Sequence, residues 1–147
     1  MNKEEKELLL MDLCARLPYG VFVEYDYGDG VKRVTKFHGN YLYLMMLGKL
    51  QWKDFKPYLR PMSSMTEEEQ KVFSDIESEF LETLVKKVQQ IKNDNERRHL
   101  LQKAVAKMTS EMVQFYNKSH LDYNGLIEKG LALEAPKGMY ETPNMKE

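Results

Sequence analysis

Residues 66–115 read TEEEQKVFSDIESEFLETLVKKVQQIKNDNERRHLLQKAVAKMTSEMVQF, and the reading of this stretch decides the fold. Thr66 and Glu69 stand three apart just before an apolar run, the signature of a capping box. Behind them Phe73, Ile76, Phe80, Leu84, Val88 and Ile91 recur every three or four residues. That is the period of one helix face, and it predicts an amphipathic helix of about 25 residues. Asn93-Asp94-Asn95 interrupts it. A second helix is expected from near Asn95, carrying Leu101, Ala104, Val105, Met108, Met112 and Phe115 at similar spacing. Two long helices joined by a short polar connection imply an antiparallel hairpin.

Upstream, Asn2 can cap a helix whose first turn is rich in Glu, extending to about residue 16 and ended by Pro18 and Gly20. The period then changes to two. Tyr19, Val21, Val23 and Tyr25 alternate as in a strand, Tyr27-Gly28-Asp29-Gly30 is a turn, and Val31 to His38 reads as a second strand. The two are expected to pair as a hairpin. Tyr41 to Leu47 is apolar on both faces, which fits a doubly covered strand, with a short buried helix as the alternative. Gly48 to Met62 is irregular, and Pro57 and Pro61 hold the residues before them extended. An edge segment closing the sheet is expected there.

Downstream, Asp122-Tyr123-Asn124-Gly125 is a turn, followed by a short apolar return through Leu126, Ile127, Leu131 and Leu133. Residues 136–147 hold little apolar content and read as a loose tail. The expected fold class is α+β: an N-terminal helix, a small antiparallel sheet of three or four strands, and a long C-terminal antiparallel helical hairpin. Residues 1–135 are expected to form a single domain, with the sheet part at about 19–62 and the helical part at about 66–120.

Composition bounds the function. The chain has 147 residues, 42% hydrophobic and 31% charged, which excludes a disordered chain and permits a core without disulfides. No apolar run approaches the roughly 20 residues needed to span a bilayer. Three glutamates among the first seven residues oppose a secretory signal, and Cys14 is the only cysteine. A cytoplasmic protein is expected. The net charge of -1 gives no general attraction to polyanions or acidic membranes. Ten methionines read chiefly as core fillers.

The chemistry-bearing residues are few. His38, His99 and His120 show no metal-ligand spacing. Cys14, between Leu13 and Ala15, reads as a small buried apolar residue. Gly28-Asp29-Gly30 lacks the helix and spacing of a phosphate cradle. Glu67, Glu68 and Glu69 are helix-start residues favoured by the helix dipole. No catalytic residue, metal or cofactor is expected. Two features could bind a partner. Trp52, Phe55, Tyr58 and Arg60 are residue types favoured as interface anchors, although sealing one end of the sheet is the simpler role. Lys86, Lys87, Arg97, Arg98, Lys103 and Lys107 form a basic surface around the helix connection, as phosphate binding requires, diluted by Glu82, Asp94 and Glu96.

Three blocks carry a resemblance. Asp12-Leu13-Cys14-Ala15-Arg16-Leu17-Pro18-Tyr19-Gly20-Val21, Lys56-Pro57-Tyr58-Leu59-Arg60-Pro61-Met62-Ser63-Ser64-Met65-Thr66 and His120-Leu121-Asp122-Tyr123-Asn124-Gly125-Leu126-Ile127-Glu128-Lys129-Gly130-Leu131-Ala132 resemble a family of small proteins of gut anaerobic bacteria and their prophages. Asn124 departs from the basic residue of that pattern. The resemblance implies a mobile-element setting and no particular activity. The functional expectation is a non-enzymatic accessory protein that binds another protein through the sheet edge or the aromatic segment. Nucleic-acid binding through the 86–107 surface is the alternative.

Overall fold

The computed structural model describes residues 1–26, 28–51 and 54–140. In chain order the elements are α1 (Lys3–Arg16), β1 (Phe22–Tyr25), β2 (Arg33–Lys36), α2 (Gly39–Met46), β3 (Phe55–Leu59), α3 (Glu67–Val88), α4 (Asp94–Lys118) and β4 (Leu133–Glu134). The protein is α+β. Its contacts divide it into two compact units, Met1–Ser64 with Asn117–Glu147, and Met65–Tyr116. One boundary, at Ser64/Met65, falls between the sheet-forming and hairpin-forming parts of the sequence, and the other falls inside the last turn of α4.

The first unit has a closed core. Asn2 caps α1 reciprocally with Glu5, whose backbone N–H donates to the Asn2 side chain at 2.8 Å. Leu9 and Leu13, one turn apart, are fully buried. Gly20 takes φ 71° and turns the chain from a short 3-10 segment into β1. Val23 and Tyr25 face the core, while Phe22 and Glu24 on the opposite face are only partly covered. β2 pairs antiparallel with β1 in the register Phe22↔Lys36 to Tyr25↔Arg33. β3 pairs antiparallel on the other side of β1, Val23 opposite Pro57.

The expected closing segment is therefore an inner strand rather than an edge. β4 covers it from Tyr58 onward and runs parallel to it, so the four-stranded sheet β2-β1-β3-β4 is mixed. β4's pairing starts one residue beyond Pro57, leaving that side of the strand an edge where proline has no N–H to donate.

Tyr41–Leu47 is corrected from strand to helix. His38 Nδ1 accepts from Asn40 N–H at 3.3 Å and starts α2. A seven-residue apolar run has no decisive period. Leu42, Leu44, Met45 and Met46 favour helix, and the run holds no β-branched residue. Only Met45 among the described methionines is buried, so the core-filler reading holds for that one residue.

The expected loose tail is corrected over residues 136–140. Tyr140 docks into the sheet: its hydroxyl donates to Tyr58 O at 2.6 Å and accepts from Phe22 N–H at 2.8 Å. Its aromatic area and polar tip together outweigh the polar context of the segment. The rest of that expectation, 141–147, lies outside the described residues.

In the second unit the Thr66–Glu69 capping box forms as expected, with Glu69 N–H donating to Thr66 Oγ1 at 3.2 Å and Thr66 N–H to Glu69 Oε1 at 3.0 Å. α3 and α4 pack side by side, and Phe73 stacks on Tyr116 at 5.9 Å between ring centroids. No helix among the described residues is long and apolar enough to cross a membrane.

Candidate interaction surfaces

The two units differ in how they use apolar residues. Leu9, Leu13, Val21, Val23, Phe37, Phe55, Leu59 and Leu126 of the first unit are buried. Between Glu67 and Tyr116 no residue is buried at all. Two helices share a single line of contact, so each covers only part of the other's apolar stripe. Along one side of the seam runs a groove of about 390 Å³, floored by Ile76, Phe80, Thr83, Leu100, Ala104 and Met108. Glu79 and Glu111 rim one end of it, and Lys87 and Lys103 lie toward the other.

The other side is lined by Leu84, Val85, Val88 and Leu101 with Arg97 and Arg98. Leu81 and Val105 extend that face by one turn each. Leu81 is 56% exposed, Val85 54%, Leu101 43% and Val105 41%. These are large aliphatic side chains with the spacing of a core and the exposure of a surface. α2 of the first unit also presents Tyr43, Met46 and Leu47 to solvent.

The basic surface is divided by this geometry. Lys87, Lys103 and Lys107 lie on the first groove, and Arg97 and Arg98 on the second. Several of these cations have nearby partners. Lys86 Nζ donates to Glu82 at 2.7 Å and pulls that carboxyl below its usual range. Arg97 donates to Ile91 O at 2.6 Å and lies 3.6 Å from Asp94, while Lys107 is 3.9 Å from Glu111. Phosphate binding draws on clustered cations on one face, and here they point to two.

The described aromatic candidates and Arg60 are buried or half-buried in the first unit. Phe55 is corrected to core: it is 1% exposed and stacks on Tyr25. Tyr58 is partly buried and donates to Glu24 at 3.1 Å. Burial and the Glu24 carboxylate raise its pKa. Arg60 donates to Ser119 O and Ser64 O and ties chain segments together. Trp52 lies outside the described residues. Burial of Phe55 and the hydrogen bonds of Tyr58 and Arg60 within the first unit fit the sealing role.

The structure gathers residues of all three resembling blocks into one buried polar network in the first unit. Arg16 Nε donates to Asp12 at 2.8 Å, and both side chains are fully buried. Arg16 Nη2 donates to Leu121 O at 2.6 Å, and Asn124 Nδ2 to Asp12 at 3.1 Å. The Arg16 guanidinium also lies over the Tyr123 ring at 5.3 Å. Arg60 and residues 120–122 exchange backbone hydrogen bonds of 2.8 Å. Asp122 accepts from the N–H groups of Leu126 and Ile127.

His120 sits in the left-handed region at φ 59° and stacks on Tyr140, ring centroids 3.8 Å apart. Burial, then the charges of Arg16, Arg60 and Lys36, lower its pKa to about 4. Arg16 Nη1, Asn117 Oδ1 and His120 Nδ1 have no hydrogen-bond partner among the described atoms. No residue lining the two hairpin grooves belongs to this network. It locks helix, strand and return segment together.

The remaining reactive groups are separate. His38 caps α2 and His99 is exposed on α4. Cys14 is corrected from buried to exposed: with Leu9 and Leu13 facing inward, the next position is turned about 100° away. Partial burial still raises its thiol pKa, which favours the less nucleophilic protonated form. No group of three or more His, Cys, Asp and Glu among the described residues is arranged to hold a metal. Comparison with protein-family models, curated proteins and solved structures gave no match.

Proposed function

We propose that this protein is a non-enzymatic accessory factor that binds another polypeptide through the α3–α4 hairpin. One observation carries the reading: the hairpin has the apolar spacing of a core face, yet no residue from Glu67 to Tyr116 is buried. Exposed apolar surface of this kind marks a protein contact. An amphipathic helix pair completes its core when a further layer covers it. The distribution of cations over two sides favours a protein partner over nucleic acid. The prophage or mobile-element origin implied by the resembling blocks belongs to this proposal.

The test is a photo-crosslinking side chain placed at Thr83 or Val85 of the full chain in living cells. Each position lines one groove. The expected result is a covalent adduct with a polypeptide from at least one of them. Adducts with nucleic acid alone, or none from either position, sink the reading.

A further inference from the structure

We infer that the groove floored by Ile76, Phe80, Thr83, Leu100, Ala104 and Met108 is closed by the same groove of a second copy of this chain, turned end for end. This rests on the interaction reading and names the partner. The hairpin is polarised along its length. Residues 66–79 and 108–116, the half away from the connection, hold seven carboxylates and one lysine. Residues 80–107, the half around the connection, hold seven Lys or Arg and three carboxylates. The groove repeats this polarity, with Glu79 and Glu111 toward the acidic end, Lys87 and Lys103 toward the basic end, and Lys107 between them, 3.9 Å from Glu111.

A face with opposite charges at its two ends is complementary to itself when reversed. Two-fold symmetry then places each acidic end over a basic end, and both ends are matched at once. A parallel copy sets like charge on like charge. Thr83 and Ala104 are small residues within the groove and let the facing helices approach. The product is a four-helix layer in which each hairpin supplies the apolar cover that the other lacks. The opposite side of the hairpin does not qualify. Its lining charges, Arg97 and Arg98, are both positive, so that side suits an acidic partner.

Sedimentation equilibrium of the full-length chain tests this, with circular dichroism to confirm that helicity is kept. A dimer is expected whose dissociation constant rises with salt, because rim charges are screened. Lys103→Glu with Lys107→Glu is expected to weaken it by at least about tenfold. Adding Glu79→Lys and Glu111→Lys to that variant restores it, since both ends are then reversed together. Leu101→Asp, on the other side, leaves it unchanged. A monomer at all concentrations overturns the inference, as does a dimer indifferent to the first pair of substitutions or not rescued by the second. A monomer whose crosslinking residue captures a different protein keeps the interaction reading and loses the second copy. A monomer that captures nothing loses both.

Discussion

Asp12→Ala is expected to destabilise the protein by about 3–5 kcal/mol, the cost of leaving one member of a buried ion pair without the other. Asp12 and Arg16 stand one helical turn apart on the inward face of α1, both fully buried and 2.8 Å apart. Without the carboxylate, Arg16 keeps its bond to Leu121 O but holds an uncompensated charge at a fully buried position. Asn124 also loses its acceptor. The converse has the opposite sense. Asp12→Leu combined with Arg16→Met removes both charges and should recover most of the loss, because an apolar pair carries no desolvation penalty. Urea unfolding of the three proteins measures both effects. A loss below about 1 kcal/mol for Asp12→Ala would show that water reaches Arg16 and that the network is not a lock.

The second large effect is acid sensitivity at His120. Its folded pKa, about 4, lies below the ordinary histidine value. The unfolded chain therefore takes up the proton first as pH falls. The stability held by neutral His120 is fully present above about pH 6.5 and is lost on descending toward pH 4. Linkage puts the loss between pH 7 and pH 4.5 at about 2 kcal/mol. Carboxylates add their own pH dependence, so the difference from His120→Asn isolates this residue. Asparagine tolerates the left-handed backbone that position 120 adopts. The variant is expected to be less stable at pH 7, having lost the stack on Tyr140, and flatter in its response to acid. Equal pH dependence in the two proteins contradicts the assignment.

The elements readable from sequence are those with a long period. α3 and α4 follow from apolar spacing and α1 from its start and stop residues, and Thr66–Glu69 marks its helix start because the capping box is local chemistry. α2 is ambiguous in sequence because seven consecutive apolar residues satisfy both periods. β4 is two residues long and pairs parallel with a strand more than seventy positions earlier, and no local signal encodes that. Asp12 and Arg16 have the spacing of an ordinary surface ion pair, and only the tertiary structure distinguishes a buried one. Tyr140 reads as tail because its neighbours are polar, while its partners Phe22, Tyr58 and His120 are supplied by the fold. Phe55, Tyr58 and Arg60 have the composition of interface anchors, but anchors and sheet-sealing residues share that composition. The hairpin was legible as a helix pair. That its apolar side stays open was not, since periodicity marks a face for burial without saying which chain covers it.

Hydrogen exchange on the full-length protein, compared at low and high concentration, tests most directly whether the hairpin needs a covering polypeptide. In dilute solution the amides of 76–88 and 100–112 should exchange at least about tenfold faster than those of Leu9, Leu13, Val23 and Leu59, and should gain protection as concentration rises. Hairpin amides as protected as that core at the lowest concentration, and indifferent to dilution, would mean that the helix pair stands by itself and that its open apolar side is not a binding surface.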